Sequence, residues 1–163
     1  MRIRHPNREK ASSQVTRAFI ALVMLVSAGL IAIITFGGWS TLQGAQVISV
    51  IYMIIYLTMA FFVLRWSRGM LPLAASLAVG LGVFAAIAAP AWFDRAHPDY
   101  ADPSLDPNLL GIITVLIVIV QVVLIVFAMI GFTQKWNIEV EESASGGGDG
   151  SPSGQPRPAG ATG

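Results

Sequence analysis

Residues 71–89 read LPLAASLAVGLGVFAAIAA, an uncharged apolar run built largely from the smallest side chains. A helix needs about 20 residues to cross the hydrocarbon core of a bilayer, so the run is long enough to span. At about 100° per residue, Ala74, Ala75, Ala78, Gly82, Ala85, Ala86 and Ala89 share one face. Leu73, Leu77, Val83, Phe84 and Ile87 take the other. The asymmetry is one of size, where a soluble helix would show one of polarity. Lipid is as apolar as leucine, so helices associate in it through close backbone approach, which small residues at four-residue spacing permit. Ala74, Ala78, Gly82 and Ala86 have that spacing and are the expected helix-packing face.

Composition points the same way. Of 163 residues 55% are hydrophobic and 12% charged, with a mean hydropathy of +0.69. A globular chain carries about twice that share of charge. The net charge of +1 and the scattered basic residues give no footprint for nucleic acid. The chain has no cysteine, which removes disulfides, thiol catalysis and thiolate metal sites.

Three further apolar runs flank the first. Residues 18–36 follow a basic segment, 1–17, that holds Arg2, Arg4, Arg8, Lys10 and Arg17 against Glu9. The run exceeds a signal-peptide core and has no A-x-A pattern after it, so it reads as an uncleaved first span. Ser12 or Ser13 is positioned to cap it. Residues 45–64 form a second span with Gln46, Ser49, Tyr52, Tyr56 and Ala60 along one side. The turn RWSRGM joins it to the third span, 71–92, with Gly69 suited to ending one helix and Pro72 to opening the next, which predicts a tight hairpin. A fourth span, 109–132, repeats Thr114, Gln121 and Ala128 on one face, behind Asp106 and Pro107 as N-cap and first helical residue.

The expected fold is therefore all-α, an integral membrane four-helix bundle running up-down-up-down over 18–133. Residues 134–163, rich in Gly, Ser and Pro, read as a disordered C-terminal tail. Placing both termini in the cytoplasm puts Arg2, Arg4, Arg8, Lys10, Arg17, Arg65, Arg68, Lys135 and Arg157 inside and only Arg95 outside, as the positive-inside rule asks. Trp39, Trp66, Trp92 and Trp136 then stand at the ends of the four spans, at the membrane boundary. The alanine-rich composition suits a bacterial inner membrane as the plasma membrane concerned.

Little in this pattern carries chemistry. No Asp, Glu, Lys, Arg or His lies in the interior of a span, which argues against proton- or ion-coupled transport. Ser27, Tyr56 and Gln121 lie near the middle of their spans and form the expected midplane polar cluster. A glutamine amide cannot face lipid without leaving its hydrogen bonds unmade, so Gln121 is expected to reach Tyr56 or Ser27 across the small face of the third helix. The acidic loop offers Asp94, His97, Asp99 and Asp102, but their spacing fits no EF-hand and reads as turn-forming. His5 and His97 fall on opposite sides of the membrane, so no histidine pair is available and an enzyme reading would have to rest on the outer-loop carboxylates.

No catalytic residue, cofactor or metal is expected, and the chain does not read as an enzyme. The expected partners are the lipid bilayer and a second copy or another membrane protein, with no nucleic acid. The reading is a non-catalytic accessory or scaffolding subunit. Its alternative is a homo-oligomeric pore or passive carrier for a small uncharged solute.

Overall fold

The computed structural model describes residues 10–95 and 103–134 in full, and the backbone of 2–4 and 140–142. His97, Asp99, Asp102, Trp136 and the tail from residue 143 onward lie outside the described residues. Four helices, each long and apolar enough to cross a membrane, make up the fold: α1 (Ala11–Gly37), α2 (Ala45–Leu64), α3 (Met70–Asp94) and α4 (Pro107–Thr133). Two short strands, β1 (Arg2–Arg4) and β2 (Val140–Glu142), pair antiparallel, one from before α1 and one from after α4. Val140–Glu142 therefore form a strand inside the stretch read as tail. We call the end holding the start of α1, the end of α4 and the α2–α3 turn the base, and the other the far end.

The helices overrun the apolar runs. At 1.5 Å per residue α2 is about 30 Å long, the thickness of the hydrocarbon core, whereas α1 and α4 are about 40 Å. The surplus of α1 lies at the base, where it starts at Ala11 rather than Ala18. Hydropathy does not register such a turn, because its backbone bonds are local and polar residues continue it. Ser12 and Ser13 accordingly sit inside the first turn, and the N-cap is Lys10, with no side-chain cap bond. At α4 the Asp106 carboxylate accepts from the backbone N–H of Asn108 at 2.8 Å, with Pro107 opening the helix.

The α2–α3 turn closes differently from the glycine ending. Trp66 takes φ 65°, Ser67 N–H donates to Phe62 O at 3.1 Å and Trp66 N–H to Val63 O at 3.0 Å. This is a Schellman ending with tryptophan where glycine is usual. Gly69 stays right-handed, at φ −61°. A left-handed non-glycine residue costs roughly 1–2 kcal/mol. Against that cost, the Trp66 ring packs at the edge of the core and receives the Arg17 guanidinium 4.2 Å from its centroid.

Arginines hold the base together by capping helix ends. Arg17 donates to Leu64 O at the end of α2 at 3.0 Å, and Arg68 Nε donates to Phe132 O near the end of α4 at 2.9 Å. Cations at helix C-termini complement the unpaired carbonyls and the macrodipole. Gln134 Nε2 donates to Thr16 Oγ1 at 3.0 Å and closes α4 onto α1.

The pairing is unequal. α3 packs most extensively on α4, α1 packs on α2 and then α4, and α2 and α3 touch sparsely. Their short turn makes a hairpin only at the base, where Tyr56, Met59, Ala60 and Val63 are buried in one core with Leu71, Ala74 and Ala78. Beyond Tyr56 no residue of α2 toward the far end is fully buried.

At the far end the glycine pair Gly37–Gly38 makes room for others. A Cβ at Gly38 would collide with the Trp92 ring, and one at Gly37 with Leu105. Trp92 is 3% exposed, so it is a packed residue and not the boundary anchor its position suggested. Trp39, 49% exposed and stacked on Phe36, does face outward. Leu105 N–H donates to Gly37 O at 3.1 Å and clips the loop to α1.

These contacts separate Gly38, the C-cap of α1, from Gly29 within it. Gly38→Ala is expected to lower the thermal stability of the detergent-solubilised protein by about 1–3 kcal/mol, as overpacking does. Gly29, which has nothing within 4 Å of an added Cβ, should instead gain a few tenths to 1 kcal/mol on Gly29→Ala. Thermal melts of the two variants beside the parent chain measure both.

Candidate functional site

The polar groups at mid-depth meet in one chain of hydrogen bonds. Tyr56 Oη of α2 donates to Gln121 Oε1 of α4 at 2.7 Å, and Gln121 Nε2 donates to Ser27 Oγ of α1 at 3.1 Å. Ser27 Oγ then donates to Val23 O, one turn back in its own helix, at 2.8 Å. All three side chains are buried, with exposures of 2%, 1% and 0% for Tyr56, Gln121 and Ser27. One amide thus binds α1, α2 and α4 together.

α3 enters this arrangement without a polar group. Gly82 lies against Gln121, whose Cβ would stand 3.6 Å from a Cβ added there. The small residue lets α3 lie over the amide stem, which fits its close packing on α4.

Of the four residues read as the packing face of α3, Ala74 and Ala78 are buried and Gly82 is half-buried. Ala86 is exposed, and the buried positions continue instead through Ala85, Ala89 and Trp92. The reason is geometric. A strict four-residue step advances about 400° and so drifts roughly 40° each time around a helix of 3.6 residues per turn. By Ala86 the row has rotated off the interface, and the buried face follows alternating steps of three and four. Ala86 lines a shallow groove between α3 and α4 with Pro90 and Val115.

Other polar side chains of the spans return to their own backbones. Thr35, Ser49, Thr58, Ser76 and Thr114 each donate to the carbonyl four residues earlier, at 2.7–3.0 Å. Among the described residues no group of three or more His, Asp or Glu gathers where a metal could be held. Of the acidic loop cluster only Asp94 is described; His97, Asp99 and Asp102 lie outside the described residues.

A feature that the sequence reading missed is the cleft between the far halves of α2 and α3, about 230 Å³ in volume. Its signal was present in the turn chemistry only negatively, because a short turn joins two helices without making them parallel.

Compared with models of known protein families, with curated proteins and with solved structures, the chain has no match.

The contact at Gly82 yields a graded expectation. Gly82→Ala places its Cβ at ordinary contact distance and should leave the stability within about 0.5 kcal/mol of the parent. Gly82→Leu must displace the Gln121 stem and should cost about 1–3 kcal/mol. Equal melting temperatures for the two variants, measured in detergent, would show that α3 does not rest on Gln121.

Proposed function

We infer that this chain is a non-catalytic multi-pass membrane protein of the accessory or scaffolding kind, one that packs against itself or against another membrane protein. The observation that supports this reading is the closure of the midplane network. Tyr56, Gln121 and Ser27 satisfy one another and end on a backbone carbonyl, so the polar groups at mid-depth serve helix association. No Asp, Glu, Lys, Arg or His stands in the middle of a span to bind or relay a charge. In this reading the base faces the cytoplasm, in agreement with Arg17, Arg65 and Arg68 gathered there, and the membrane is a plasma membrane of bacterial type.

The alternative, a homo-oligomeric pore or passive carrier for a small uncharged solute, has to find its passage between copies. Within one copy the cleft does not continue to the base, where α2 and α3 close over Tyr56, Met59 and Ala60.

Purification of the full chain from its native membrane in a mild detergent, with chemical crosslinking and native mass measurement, tests the reading. A complex of fixed stoichiometry and no glycerol flux in proteoliposomes is the expected result. Glycerol flux above that of empty liposomes, from a preparation containing this chain alone, would overturn it in favour of the pore.

A further inference from the structure

The cleft between α2 and α3 has apolar walls, and Ile48 and Phe84 at its rims are 52% and 58% exposed. It therefore opens sideways between the helices, toward lipid. Ile31 of α1 and Ile117 of α4 are buried at its floor. The hydroxyls of Ser49 and Thr114 also line it, and each is already bonded to a carbonyl of its own helix.

Tyr52 is the exception. It lines the cleft, its ring stands 6.3 Å from that of Tyr56, and its hydroxyl reaches across the gap to α3, 3.0 Å from where a Cβ on Gly80 would be. Among the described residues this hydroxyl has no hydrogen-bond partner. Seven residues below the start of α2, it sits roughly 10 Å into the span and, not being among the fully buried atoms, opens to the apolar cleft. A hydroxyl left unbonded in such surroundings costs about 1–3 kcal/mol. An apolar cleft with an unused donor at its inner end has the form of a small-molecule site, mostly greasy with few orienting groups.

We propose that this cleft binds a membrane-dissolved apolar molecule carrying a hydrogen-bond-accepting oxygen, a ketone or ester carbonyl on an apolar skeleton, to which the Tyr52 hydroxyl donates a hydrogen bond. Size selects a small molecule over a partner helix. An apolar cavity of about 150 Å³ takes a benzene, so about 230 Å³ suits a substituted double ring, while a helix about 10 Å across does not fit. Depth selects against a phospholipid chain, whose ester oxygens stay at headgroup level and whose deep end is a methyl group. The site is independent of the accessory reading, since it lies within one copy.

The test uses the full chain in nanodiscs and two isosteric probes, 2-acetylnaphthalene, which has a carbonyl, and 2-ethylnaphthalene, which does not. Binding is counted above that of empty nanodiscs. The expected result is one saturable site per chain, with the ketone bound about fivefold more tightly, as one net hydrogen bond provides. Tyr52→Phe should abolish that preference while leaving the melting temperature unchanged or higher. Ala88→Trp, which fills the cleft from an exposed wall position, should remove binding of both probes. Absence of saturable binding, equal affinity of the parent chain for the two probes, a preference that survives Tyr52→Phe, or binding that survives Ala88→Trp would each overturn the proposal.

Discussion

The side chain of Gln121 imposes the constraint on which the rest of the bundle depends. Its amide needs both a donor and an acceptor, and at mid-depth in a bilayer neither can come from water. Tyr56 supplies the donor and Ser27 the acceptor, from two different helices. Satisfying one amide therefore sets the rotation of three helices about their axes, which apolar packing alone would leave nearly degenerate in lipid. α3 adapts to the result by placing Gly82 where a larger residue would displace the amide stem.

Above and below that level the helices are held by different means. At the base, Arg17 and Arg68 supply guanidinium donors to the ends of α2 and α4 and lay their planes over Trp66 and Phe132. At the far end, α1, α3 and α4 interlock through Gly37, Gly38, Trp92 and Leu105. α2 packs on α1 but takes no part in that far-end interlock. Its link to α1 is fastened by Gln46, which donates to Trp39 O and accepts from Gly44 N–H, but nothing draws its far half onto α3. The cleft follows from that difference.

Much of this was legible in the residues. Four apolar runs of spanning length yield four helices, and the polarity of Gln121, Tyr56 and Ser27 at equal depth marks the level where they must meet. Asp106 and Pro107 mark the start of α4 because their roles are local. What was hidden depends on long-range geometry. The row from Ala74 to Ala86 misjudged the phase because four-residue steps drift. Trp66 at a left-handed position gains from Arg17, a residue far away in sequence. Trp92 has the position of a boundary anchor, yet Gly38 at the end of α1 opens space for it inside the bundle. The parting of α2 from α3 is written in no single segment.

A double-mutant cycle on Tyr56→Phe and Gln121→Leu, read as unfolding free energy of the full chain in detergent, tests the clasp most directly. Hydrogen bonds between membrane helices average about 0.6 kcal/mol and reach about 1.7 kcal/mol. The clasp predicts a coupling of about 1 kcal/mol between the two positions, with each single variant less stable than the parent. Strictly additive effects, or a Gln121→Leu variant as stable as the parent, would contradict it.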